Sequence, residues 1–231
     1  MPDSTRSSKD RPPEAPPPAG PDCAGPCVLR AETDHRVANH LMMLSSYVRL
    51  QGRHIARDGV VDRAAVSLFA RSVDAQIHAI ARLHRRLMTN VNDQSSDLGP
   101  LLHEVVACFA IDPETCAVVE DLDPACSVRM DQLLPISQIV NEAVTNSLKY
   151  AFRGTRPGRL TVRCLPLPSG DLRVEIGDNG DGLPAALPAG TDGGFGIGLM
   201  RDLARQLDAS LAFDSGPDGL TVRLTVPRSS D

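Results

Sequence analysis

Apolar residues in the first third of the chain recur at helical spacing. Val37, Leu41, Leu44, Val48 and Ile55 step by four and three, passing over Gln51 and continuing in phase beyond it. Met42, Met43, Tyr47 and Leu50 widen this stripe, and Asp58-Gly59 then signals a turn. A second stripe follows through Phe69, Val73, Gln76, Ile80, Leu83 and Leu87. The pattern predicts two long amphipathic helices folded back as an antiparallel hairpin. Two helices cannot enclose a core, so a second hairpin should complete a four-helix bundle, most simply from a second copy of the chain.

The pattern changes beyond residue 88. Thr89 to Ser96 is polar and carries no periodicity, which places a domain boundary there. Leu98 to Ala110 reads as a helix, Cys116 to Glu120 as a strand and Ser127 to Met130 as a short strand. Asp131 is a plausible N-cap for a helix running to about Phe152, with Pro135 in its first turns. Leu160 to Leu165 and Leu172 to Ile176 alternate as strands, Gly196 to Leu207 is helical, and Leu211 to Phe213 and Leu220 to Val226 close the domain. Between them, residues 179–195 are rich in Gly, Pro, Ala and Asp and read as a loop. This order predicts an α+β fold with helices on one face of a mixed sheet. Three segments result: a Pro-rich tail over 1–27, a helical hairpin over 28–90, and an α+β domain over 97–228.

Composition narrows the options. A net charge of −5 and a pI near 5.7 give no electrostatic case for nucleic acid or anionic lipid. Arg82, His84, Arg85 and Arg86 are the one local basic cluster, read as a solvated helix face. With no Trp, two Tyr and five Phe, the core must be aliphatic and base-stacking platforms are scarce. Eight prolines fall within the first 26 residues, as in disordered or polyproline-like tails. No apolar run reaches the ~20 residues that cross a bilayer, and the polar start lacks a signal-peptide core. A cytoplasmic protein is expected, and its six cysteines, of which only Cys23 and Cys27 lie close together, are expected as free thiols.

The chemistry concentrates in three segments. Asn141 to Tyr150, NEAVTNSLKY, sets Glu142, Asn146 and Lys149 along one side of a helix. Asp178-Asn179-Gly180-Asp181-Gly182 follows an apolar strand. Gly193-Gly194-Phe195-Gly196-Ile197-Gly198 then runs into a helix whose N-terminal amides can receive phosphate. An amide oxygen can ligate a hard cation, a lysine can meet phosphate, and glycine amides can approach both. Alone, the first segment is an ordinary amphipathic helix and DNGDG an ordinary hairpin turn. Three such segments in this order, about thirty and fifteen residues apart, are far more specific.

In that order they resemble the N, G1 and G2 boxes of the Bergerat ATP-binding fold of gyrases, Hsp90 and histidine kinases. Glu32 to Leu41, ETDHRVANHL, with Leu44 to Gln51, LSSYVRLQ, resembles the phosphoacceptor helix of HisKA_2/HWE-type histidine kinases. Helical geometry places His35 roughly 180–240° from the apolar stripe, on the exposed face. Glu32 and Asn39 share that face and could orient the ring through one nitrogen, leaving the other nucleophilic. Asp34, Ala38 and His40 depart from the family's pattern around this position.

The resemblance implies a dimeric hairpin followed by a Bergerat-type α/β sandwich, using ATP and Mg2+. Asn146 would coordinate magnesium, Lys149 would contact phosphate, and Asp178 would accept a hydrogen bond from the adenine amino group. Gly180 and Gly182 would shape the base pocket, and Gly194, Gly196 and Gly198 the loop beside the triphosphate. Glu142 takes the acidic position that serves as a base in water-activating relatives, and here could order the metal or its waters. His35 would take the phosphoryl group and pass it to the aspartate of a response-regulator receiver, with input from a separate sensor protein or from the tail. Two other readings remain: a histidine phosphotransferase that no longer uses ATP, and a Bergerat-fold serine kinase or anti-sigma-like module.

Overall fold

The computed structural model describes residues 41–42, 44–49, 51–53, 63–89, 95–152, 157–183 and 195–227 of the 231-residue chain. The described residues fall in one compact unit. The described residues of 41–53 are helical (α1), and α2 spans Arg63–Thr89. The hydroxyls of Tyr47 on α1 and Ser72 on α2 are hydrogen-bonded, so the two predicted helices do meet.

The buried face of α2 is rotated from the predicted stripe. It runs through Ser72, Ala75, Gln76, Ala79, Ile80 and Leu83, while Phe69 and Val73 are half-buried. The reason is what covers it. Ala75, Ala79, Ile80 and Leu83 belong to the same core cluster as the α+β layer, and small residues at three of the six positions let neighbouring helices approach closely. Much of the stripe assigned to a second copy is therefore covered by the chain itself. Among the described residues of α1 and α2, Leu41, Met42, Val66 and Ile77 are the large apolar ones left exposed.

The segment read as a boundary ends in structure. Ser95–Asp97 (β1) pairs antiparallel with Ser127–Arg129 (β3), and α3 (Gly99–Ala107) and β2 (Cys116–Leu122) lie between them. Helix α4 spans Met130–Asn146. Asp131 is not its N-cap: β3 runs straight into the helix, Arg129 is the extended capping residue, and Oε1 of Gln132 accepts its backbone N–H at 3.1 Å. The carboxylate of Asp131, inside the first turn, instead accepts from the Arg129 guanidinium. At the other end, α-helix does not continue to Phe152. Ser147–Ala151 forms a wider π turn, a device that recurs near functional sites.

The main sheet is completed by β4 (Gly158–Pro166), β5 (Leu172–Asp178), β6 (Ser210–Gly216) and β7 (Gly219–Val226), with α5 (Phe195–Gln206) between β5 and β6. Its order is β2-β4-β5-β7-β6; β2 and β4 are parallel and every other pair is antiparallel. Alternation along β4, β5 and β7 turns Leu160, Val162, Val174, Ile176, Val222 and Leu224 inward. Ile139, Val140 and Ala143 of α4 join them in the core, and Leu148 is half-buried.

The opposite face of the sheet carries a row of charges that crosses all five strands. Asp121, Arg163, Glu175, Arg223 and Asp214 alternate in sign across β2, β4, β5, β7 and β6. Arg163 Nη2 lies 3.0 Å from Asp121 and Arg223 Nε 2.8 Å from Glu175. Exposed pairs contribute little singly, but this ladder explains why one sheet face needs no covering layer. Among the described residues, no helix is long and apolar enough to cross a membrane.

Candidate nucleotide site at the end of α4

Helix α4 is enclosed on nearly every side, although the sequence suggests a polar solvent face. Asn141 is 0% exposed, Glu142 2% and Thr145 8%; residues of α1 and α2 reach the first two. Asn141 Nδ2 donates to Tyr47 Oη at 3.1 Å and to Ser72 Oγ at 2.9 Å. Gln51 Nε2 donates to Glu142 Oε1 at 2.9 Å. Burial pushes the Glu142 carboxyl above its usual range, opposed by the hydroxyl of Tyr47, the amide of Gln51 and the charge of Lys149. Burial and the nearby Glu142 carboxylate likewise push the Tyr47 phenol upward. Unpaired buried polar groups are costly, and this seam has several: Asn141 Oδ1, Thr145 Oγ1 and both amide atoms of Gln76.

Near the C-terminal end of α4, the site assembles. The first turn of α5 comes so close that a Cβ on Gly196 would lie 2.7 Å from Glu142 Oε2 and 3.4 Å from Asn146 Nδ2. A larger residue there would have to displace the Glu142 carboxylate. Gly198, two residues on, has open space where its Cβ would be. Thus Glu142, Asn146 and Gly196, separated by up to 54 positions in sequence, stand together. Lys149 projects from the π turn, half-buried, with Nζ 5.6 Å from the Tyr150 ring centre.

Asp178 ends β5 on the other side of the π turn. Its Oδ1 accepts the backbone N–H groups of Gly180 at 3.0 Å and Leu220 at 3.2 Å, and its Oδ2 accepts from Ser147 Oγ at 2.8 Å. Two carboxylate oxygens offer about four acceptor positions, so Oδ2 retains one for a further donor. Gly180 packs directly on the backbone of Ala151, where a Cβ would come within 2.6 Å of its Cα. Gly182 adopts φ +71°, a left-handed conformation that favours glycine.

The structure therefore joins Glu142, Asn146, Lys149 and Gly196 at one end of α4 and ties Asp178 to its π turn through Ser147 and Gly180 through Ala151, while Gly182 lies against Ser215 and Gly216. Glu32, His35, Asn39 and Gly194 lie outside the described residues. The sequence reading missed Ser147, Tyr47, Ser72 and Gln51. Gln51 carried a signal: a polar residue interrupting an apolar stripe in phase marks a position whose partner is buried and polar. Ser147 carried none, because its partner is 31 residues away.

These residues fit a magnesium nucleotide. The amide oxygen of Asn146 and the carboxylate of Glu142 are hard oxygen donors, Lys149 supplies positive charge, and Asp178 keeps an acceptor for an amino group. An α+β layer with a mixed sheet, a helix bearing the acid and amide, and a glycine turn against it define an ATP-binding module of the Bergerat kind. Two family patterns agree. The histidine kinase-, DNA gyrase B- and HSP90-like ATPase pattern matches residues 131–230, and the histidine kinase pattern HisKA_2 matches residues 32–110. The chain belongs to the histidine kinases of this HisKA_2 type.

It is 27% identical over 204 residues to blue-light-activated histidine kinase 2 of Erythrobacter litoralis, a match covering 86% of the chain and 57% of that protein. It is 25% identical over 205 residues to the sensor histidine kinase PdtaS of Mycolicibacterium smegmatis, covering 85% of the chain and 39% of that protein. The chain thus spans between about a third and three fifths of such relatives. The solved histidine kinase domain of the Erythrobacter litoralis EL346 blue-light-activated histidine kinase shares the fold, with a TM-score of 0.62, 24% identity, and coverage of 85% of this chain and 92% of that one.

Proposed function

We propose that the chain is a cytoplasmic protein-histidine kinase core that transfers the γ-phosphoryl group of ATP to its own His35 and then to the aspartate of a response-regulator receiver. The observation that carries this is the meeting of Glu142, Asn146 and Gly196 beside Lys149, with Asp178 anchored across the same π turn. Residues 28–90 serve as the dimerisation and phosphoacceptor part and 97–228 as the catalytic part. A second copy would cover the exposed Leu41, Met42, Val66 and Ile77.

Magnesium, when bound, neutralises phosphate charge, and Asn146 would hold it through its amide oxygen. Lys149 orients the phosphates, the amides at the start of α5 receive them, and Asp178 reads the amino group of adenine. Phosphoryl transfer needs little covalent help from the protein; positioning and charge do most of the work. In the described conformation Gln51 and Tyr47 hold Glu142, which reads as a resting arrangement. Transfer to the hairpin requires α1 to release that carboxylate.

The phosphotransferase alternative predicts no nucleotide binding, and titration calorimetry separates the two. Parent protein should bind ATP more tightly with Mg2+ than without. Asn146→Ala should lose that magnesium-dependent increment while still binding nucleotide. An absence of ATP binding by the parent would leave only the relay reading.

A further inference from the structure

Away from the nucleotide site, three side chains converge between α2 and the C-terminal end of α3. Asp74 and His78 are one helical turn apart on α2. Cys108 closes α3 and reaches the same point, its Sγ lying 3.7 Å from His78 Nδ1. The Asp74 carboxylate lies 3.5 Å from that same nitrogen, and all three ligand atoms fall within 4.8 Å of one another. A zinc ion bound at ordinary Zn–S, Zn–N and Zn–O lengths with tetrahedral angles has ligand–ligand edges of roughly 3.4–3.6 Å. The two measured edges are therefore already close to those of a metal site.

We propose that Asp74, His78 and Cys108 form a binding site for Zn2+ or a similar borderline divalent cation, with a solvent-facing fourth position, that clasps the helical hairpin to the α+β layer. Carboxylate, imidazole and thiolate are the donor set such ions favour. The neighbouring cations are engaged elsewhere: Arg71 donates to the carbonyls of Phe109 and Ala110, and Arg82 pairs with Glu104. Burial first, and then the charges of Asp74 and Glu104, push the Cys108 thiol upward, and the two carboxylates make a negative surrounding that attracts a cation.

On binding, a Zn–S bond forms as the Cys108 thiol proton leaves for solvent. Nδ1 of His78, now 3.0 Å from the Asp74 carbonyl, turns its lone pair to the ion while the ring proton resides on Nε2. The clasp joins the same two helices that Arg71 and Arg82 already fasten. Sequence spacing hides this site because Cys108 lies 30 residues beyond His78. It does not depend on the kinase reading.

The test uses full-length protein carrying Cys23→Ser and Cys27→Ser, which removes the two cysteines that lie close together in sequence. Cobalt titration should produce a thiolate-to-cobalt charge-transfer band saturating at one equivalent, and adding Cys108→Ser should abolish it. In zinc competition, Asp74→Asn and His78→Ala should each weaken binding by at least about tenfold. Zn2+ should also slow alkylation of Cys108 by iodoacetamide in the His78-containing protein and leave it unchanged in His78→Ala. A thiolate band only when Cys23 and Cys27 are present, a band that survives Cys108→Ser, or alkylation of Cys108 indifferent to Zn2+ would each overturn the proposal.

Discussion

Gln51 on α1 donates from Nε2 to Oε1 of Glu142 on α4 at 2.9 Å, so a residue of the hairpin holds the acid of the nucleotide site. The carboxyl of Glu142 is pushed up by burial from its ordinary value of 4.5. Native protein therefore binds a proton there that unfolded chain has released, and stability falls as pH rises from about 4.5 through the raised value. Glu142→Gln should remove this dependence. Its melting temperature should exceed the parent's at pH 7, with the gap closing below pH ~4.5. Thermal scans across pH check this; a Glu142→Gln protein that melts lower than the parent at pH 7 contradicts it.

Gln76 is fully buried on α2, and neither of its amide atoms has a partner. An unsatisfied buried polar group costs about 1–3 kcal/mol, and leucine has similar volume. Gln76→Leu should raise the melting temperature by roughly 2–4 °C for each kcal/mol gained. The same change should slow autophosphorylation if α2 must part from α4 during turnover. A lower melting temperature would show that Gln76 has a partner in solution.

Three glycines should respond differently to a single methyl group. Gly180→Ala drives a Cβ into the backbone of Ala151 and should cost about 1–3 kcal/mol in denaturant unfolding. Gly196→Ala meets the Glu142 carboxylate, the end of a side chain, and should disturb nucleotide affinity more than stability. Gly198→Ala meets nothing within 4 Å and lies in a helix, so it should be neutral or stabilising by up to about 1 kcal/mol. Equal effects of all three on stability would contradict this account of α5.

Asp178→Asn should keep the fold and lose adenine. The new amide oxygen can still accept from Gly180 and Leu220, and its NH2 can face the rotatable Ser147 hydroxyl. What disappears is the acceptor left on Oδ2. A charge-assisted hydrogen bond is worth about 1.5–3 kcal/mol, so ATP affinity should drop roughly ten- to a hundredfold with little change in melting temperature. Unchanged affinity would remove Asp178 from base recognition.

Periodicity was enough for the elements. The alternation of β4, β5 and β7 states which face is buried, and every strand but β1, which fell in the segment read as a boundary, begins or ends within a few residues of its expected place. The departures share a cause, long-range contact. Asp131 looks like a cap until β3 is seen to enter the helix extended, with Gln132 satisfying the Arg129 N–H. Arg82 looks like part of a solvated cluster until Glu104 of α3 reaches it. Asn141 and Glu142 look solvent-facing until Tyr47, Ser72 and Gln51 reach them. In the nucleotide site, motif spacing found the residues that would touch a ligand. It missed Ser147 and Gln51, which touch those residues instead.

Transfer to His35 is the center of the account, and one labelling experiment tests it most directly. Parent protein and His35→Ala are incubated with γ-labelled ATP and Mg2+, and the incorporated label is treated with acid and with alkali. The account predicts label that survives alkali, is lost in acid and maps to the peptide containing His35 in the parent, with none in His35→Ala although that variant binds ATP as tightly. Acid-labile label persisting in His35→Ala, or acid-stable label in the parent, would contradict it.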